Sequence, residues 1–123
     1  MASTRLQRVG RVIKEELSRI IREEIDDPRL GLVSITGVEV TPDLRIAHVH
    51  VSVYGDEAQR KMSLGILDRA SRFLRGVLGR EIELRYTPEL HFHLDTSLER
   101  GARIFELLHE IKTEEKENPD EPS

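Results

Sequence analysis

The order of hydrophobic periods predicts an α+β fold, with helices packed on one face of a three-stranded sheet. Three observations lead there. Capping-type tetrapeptides at Thr4-Arg5-Leu6-Gln7, Asp56-Glu57-Ala58-Gln59 and Thr96-Ser97-Leu98-Glu99 each open a stretch of apolar residues at three- and four-residue steps. Segments rich in β-branched residues, alternating with period two, lie between those stretches. The chain of 123 residues is long enough for one modest core without staples, and it has no cysteine to make any.

In the first helix Leu6, Val9, Ile13, Leu17, Ile20 and Ile21 share a face, which sends Arg8, Arg11, Lys14, Arg19 and Arg22 elsewhere. Asp27-Pro28 is the expected end, because proline disfavours helical geometry in the residue before it. A strand over 32–41 follows, with Val33 and Ile35 alternating and then Val38 and Val40 in shifted parity. Gly37 sits at the shift, so the strand is expected to carry a bulge that restores its core face. Thr41-Pro42-Asp43-Leu44 has turn chemistry, and the next strand puts Ala47, Val49, Val51 and Val53 inward in an antiparallel hairpin.

The second helical pattern runs from Asp56 to about Leu78, with Gly79 as the expected C-cap. Its apolar positions leave a single stripe near Ala70-Ser71-Arg72, which predicts a kink and hence a helix-kink-helix. Ile82, Leu84 and Tyr86 then alternate, Pro88 interrupts, and Leu90, Phe92 and Leu94 resume, an extended region suited to an edge or a bulge. A last amphipathic helix is expected over 98–111. The reading gives one domain over 1–112 and an acidic tail over 113–123 with too little to bury for order.

The net charge of −4 is unevenly spread. Residues 1–22 carry +4 and residues 60–80 carry +5, whereas 106–123 carry −5, so an acidic end conceals a basic body. Fifteen of the nineteen cationic residues are arginine, whose planar fork meets phosphate oxygens two at a time. Arg69, Arg72 and Arg75 step by three along the second helix, with Arg80 beyond. Phe, Trp and Tyr make up only 4% of the chain, so binding through phosphate, sugar and shape is expected rather than base stacking.

The absence of cysteine closes thiol chemistry and fits an intracellular, cytoplasmic setting. No apolar run reaches the roughly 20 residues of a membrane span, and Met1 to Gly10 lack the apolar stretch of a signal peptide. The adjacent acids Asp26-Asp27 and Glu114-Glu115 do not converge on a cleft, and no nucleotide-binding glycine fingerprint is present. No enzyme, no cofactor and no small-molecule substrate are expected. Gly76-Val77-Leu78-Gly79 matches the G-x-x-G of KH loops, but Val77 and Leu78 continue the apolar stripe, so the structural reading outweighs it.

His48 and His50, like His91 and His93, put two imidazoles on one face of a strand, so four would approach if those strands paired. A four-nitrogen zinc site is chemically legal. A flat sheet face rarely supplies the tetrahedron, however, and no carboxylate to orient the rings is evident in the sequence. A histidine-based metal protein is therefore the rival reading, and a protein-interaction module using Leu98 to Ile111 is a third.

Taken together and in order, several segments resemble the ribosome-binding factor A family, bacterial factors for small-subunit assembly. They are Arg8-Val9, Asp27-Pro28-Arg29, the run from Ser34 to Val40 with Asp43-Leu44, the run from Ala70 to Arg75, and the run from Arg85 to Phe92. The resemblance spans roughly Arg5 to Ile111. It implies a type II KH-like fold in which an Ala-x-Gly interruption replaces the G-x-x-G loop. Ala70 matches the alanine, while Arg72 stands where the family often has glycine, adding charge and removing backbone freedom.

It further implies binding to the free small (30S) subunit through 16S rRNA, support for maturation of the 16S 5′ end, and importance in cold growth. The expected RNA contacts are Arg8, Arg11, Arg69, Arg72, Arg75 and Arg80, with Ala70 and Ser71 allowing close backbone approach. A monomer is expected, with no membrane partner and no metal.

Overall fold

A computed structural model of the chain describes residues 4–95 and 106–109. Its elements are α1 (Thr4–Glu24), β1 (Val33–Val40), β2 (Ile46–Val53), α2 (Glu57–Glu81) and β3 (Glu89–Leu94). The strands form one sheet in the order β1-β2-β3, with β1 antiparallel and β3 parallel to the central β2. A parallel neighbour needs a crossover, and α2 supplies it. This is the expected α+β, KH-like layer.

The bulge falls where the parity shift placed it. Ile35 pairs with Val51 and Gly37 with His50, leaving Thr36 as the extra residue. Its hydroxyl donates to Asp95 Oδ2 at 2.6 Å, linking β1 to the end of β3. In the hairpin turn Leu44 adopts φ 62° and donates its N–H to the Thr41 carbonyl at 2.8 Å, while Thr41 Oγ1 accepts from the Ile46 N–H.

One face of the sheet is dry. Ala47, Val49 and Val51 have no exposure, and Leu90 and Phe92 join them from β3. Ile13, Leu17 and Ile20 from α1 and Leu67, Leu74 and Leu78 from α2 close the layer with equally buried side chains. Side chains of this size contribute roughly 1.5–3 kcal/mol each when fully buried. α1 lies directly on β1: a Cβ on Gly10 would stand 2.7 Å from the Val38 carbonyl oxygen, so glycine sets that approach.

Four expectations need correction. α1 stops at Glu24, ahead of Asp27-Pro28, because Asp27 is used in a turn of its own. There its carboxylate accepts from the Arg29 N–H and guanidinium, and its carbonyl from the Leu30 N–H. α2 is helical without interruption from Glu57 to Glu81, so no break separates two helices at Ala70-Ser71-Arg72. Arginine at 72 is a good helix former, and no glycine or proline frees the backbone there.

Gly79 lies inside α2, whose cap is Ile82; a Cβ at Gly79 would stand 2.9 Å from Thr87 Oγ1, so this glycine answers to tertiary contact. Finally, β3 begins only at Glu89, and 82–88 form an irregular connection whose Ile82 and Leu84 pack against the core without pairing. Residues 106–109 are helical and exposed, within the helix expected over 98–111. The rest of that helix and the tail over 113–123 lie outside the described residues.

Candidate nucleic-acid interface

α2 starts from a complete capping box. Asp56 Oδ1 accepts from the Gln59 N–H at 2.8 Å, and Gln59 Oε1 accepts from the Asp56 N–H at 2.8 Å. From that fixed origin Ile66, Leu67, Leu74, Val77 and Leu78 face the sheet. Arg69, Arg72 and Arg80 stand exposed on the remaining surface, and Ala70 and Ser71 are half-buried beside them. The G-x-x-G segment sits within the helix with Val77 and Leu78 in the core, as its apolar character indicated.

Arg75 departs from the series. Three residues advance a helix by about 300°, so each step turns the position back by about 60°. By the third arginine the series has rotated toward β3. Arg75 is half-buried there, and its Nε and Nη2 both donate to the Thr87 carbonyl at 3.0 and 2.8 Å. Its fork fastens the 82–88 connection to α2, and two of its donors are already committed. Arg72, Arg75 and Ser71 line a shallow hollow with Glu89, Leu90 and His91.

On α1, Arg8 and Arg11 are exposed. They belong to a different helix from the α2 arginines, and Arg19 links the two helices by pairing with Glu81 at 3.3 Å while also holding Glu16 and Glu23. Arg8, Arg11, Arg72 and Arg80 have no hydrogen-bonded or ion-paired partner among the described residues. Two exposed residues lie outside the expected contacts: Arg85, which shares a hollow with Arg5, and Tyr86, 51% exposed in the same place. Their only signal in the sequence is composition, because the alternation of Ile82, Leu84 and Tyr86 imitates a strand.

At the turn after α1, the Arg29 guanidinium and backbone N–H hold the Asp27 carboxyl well below its ordinary range, at about 2. The field of Arg69 acts in the same direction, which places α2's cationic surface near this turn.

The opposite face of the sheet carries the histidines. β2 and β3 pair in the register that puts His48 beside His91 and His50 beside His93. All four imidazoles therefore do approach: His48 Nδ1 lies 2.9 Å from His93 Nε2, with ring centroids 5.0 Å apart, and His50 and His93 are 5.5 Å apart. Burial and the fields of His48, His50 and His91 hold His93 below the ordinary imidazole range, Asp68 opposing them. Carboxylates are present after all: Glu39 Oε1 is 3.3 Å from His50 Nε2, and Glu89 Oε2 is 3.5 Å from His91 Nε2. Even so, no three His, Asp or Glu side chains among the described residues stand in metal-holding geometry, so the four rings do not make a tetrahedral cage.

No helix among the described residues is long and apolar enough to cross a membrane. The fold and its arginine-lined helix define a small KH-like domain with a cationic surface. A family model described as ribosome-binding factor A matches residues 5–108. The factor from Desulforamulus reducens is 50% identical over 113 residues, covering 92% of this chain and 94% of the relative. That from Halothermothrix orenii is 47% identical over 121 residues, covering 98% and 99%.

Among solved structures, the crystal structure of ribosome-binding factor A from Thermus thermophilus aligns with a TM-score of 0.65 at 28% identity, over 72% of this chain and 94% of its own. A Thermus thermophilus homology model, fitted into a cryo-EM map of a complex of the 30S subunit with ribosome-binding factor A, aligns at 0.63 and 27% identity, over 74% and 96%. The chain belongs to the ribosome-binding factor A family.

Proposed function

We propose that this chain is a non-catalytic, monomeric cytoplasmic factor that binds the free small ribosomal subunit through 16S rRNA. It supports late maturation of that subunit, including processing of the 16S 5′ end and adaptation to cold. The observation that carries the reading is the set of exposed arginines: Arg69, Arg72 and Arg80 on α2, and Arg8 and Arg11 on α1. Exposed guanidinium groups on a rigid helix suit phosphate oxygens, and contacts of this kind fix position on a nucleic acid without reading its sequence. The relative fitted into a 30S complex supports the choice of partner.

In this reading Ala70 and Ser71 let the RNA backbone approach α2. Arg75 holds the 82–88 connection with two donors and offers its remaining N–H groups to phosphate. The test is co-sedimentation with free small subunits. Reversing Arg69 and Arg72 together to Glu should remove the protein from the subunit peak while leaving its circular dichroism unchanged. Undiminished co-sedimentation of that variant would overturn the assignment of this surface.

A further inference from the structure

The histidine face of the sheet adjoins the arginine surface at the β3 edge, where His91 and Glu89 share a hollow with Arg72 and Arg75, but His48 and His93 take no part in RNA binding as proposed. We infer that His48 and His93 form a two-imidazole binding site for a borderline divalent cation of the Ni²⁺, Cu²⁺ or Zn²⁺ kind, with water completing the coordination. His48 Nδ1 and His93 Nε2 are 2.9 Å apart, a hydrogen bond in which one ring donates to the other. Replacing that shared proton by a metal requires two nitrogens at about 2.1 Å from a common point. At right angles this sets them about 3.0 Å apart, the spacing of neighbouring ligands in octahedral or square-planar geometry. The rings must turn so that both lone pairs converge. They stand on the open sheet face, His93 exposed and His48 half-buried, where such turning meets no core.

The surroundings select the sign of the ligand. Glu39 flanks His50 and Glu89 flanks His91, and Asp95 directly follows the strand that carries His93. Carboxylates beside the imidazoles favour a cation at this pair, while Arg72 and Arg75 lie further along the β3 edge with His91. The strand register fixes the pair as well, because β2 and β3 hold both backbones in one sheet. Among the described residues no third His, Cys, Asp or Glu stands in place to join the pair, so the remaining coordination falls to water.

The test titrates the tag-free full chain with Ni²⁺ and Zn²⁺ separately, by calorimetry at pH 7.5. One ion per chain is expected, with the imidazole nitrogen resonances of His48 and His93 shifting in NMR spectra. H48Q and H93Q should each weaken binding by roughly tenfold or more, whereas H109Q should leave it unchanged. The inference is overturned if the ion fails to bind, or if H93Q binds as tightly as the parent. Equal losses with H109Q, or shifts confined to other residues, would likewise overturn it. Co-sedimentation of H48Q and H93Q with small subunits should equal that of the parent, which separates this site from the arginine surface.

Discussion

At the scale of single residues, a few atoms decide whether a position is structural or free to bind. Gly10 is one such position: the Val38 carbonyl leaves no room for a Cβ at 2.7 Å, whereas a Cβ on Gly37 would meet nothing within 4 Å. Gly10→Ala should therefore lower unfolding stability by about 1–3 kcal/mol, as overpacking against backbone does. Gly37→Ala should change it by less than about 0.5 kcal/mol, and urea denaturation of the two variants checks the contrast.

Asp27 offers a pH readout. Its pKa is lowered to about 2 by Arg29, so its contribution to stability is present above the unfolded value of 3.8 and is lost as pH falls through about 2. NMR titration of the Asp27 carboxyl should find that low value in the parent and a return toward the ordinary range in Arg29→Gln. Residues of this kind were only partly legible. Arg75 looked like its neighbours because its partner is a backbone carbonyl twelve positions away, which no side-chain pattern announces. Gly79 looked like a cap because its reason, Thr87, comes from the far side of a loop.

At the scale of elements, local chemistry and period carried most of the reading. The Asp56/Gln59 box, the parity shift at Gly37 and the Thr41 turn are events within a few residues, and each appears where the sequence placed it. The connection over 82–88 misled because Ile82 and Leu84 bury their side chains as a loop does, without strand pairing. Their spacing mimics a strand.

The uninterrupted α2 follows from a particular residue. With arginine at 72, helical hydrogen bonding continues through the place where an Ala-x-Gly would loosen it. Arg72→Gly should cost about 0.5–1 kcal/mol in chemical denaturation, the helix-interior penalty of glycine. An unchanged or raised stability would mean that the helix is strained at that point. Removing the cap, Asp56→Ala, should cost about 1 kcal/mol by the same measurement.

At the scale of the whole molecule, the sheet divides two chemistries. Arginines decorate the helical side, imidazoles with carboxylates cover the other, and the two meet at the β3 edge, where Arg72 and Arg75 share a hollow with Glu89 and His91. The net charge of −4 hides this arrangement, and only the segmental charges made it legible. The convergence of the histidines required β2 and β3 to be parallel neighbours, a long-range fact that strand patterns alone do not determine. The orienting carboxylate Glu39 was likewise brought in by pairing across strands.

The central claim is that exposed arginines on α1 and α2 bind small-subunit RNA through phosphate. Equilibrium binding to purified free small subunits across a range of KCl concentrations tests it most directly. Affinity should fall linearly in log–log form, and Arg72→Gln should weaken binding and reduce the magnitude of the slope by about one. A salt-independent affinity, or a parent and variant with the same affinity and slope, would contradict the account.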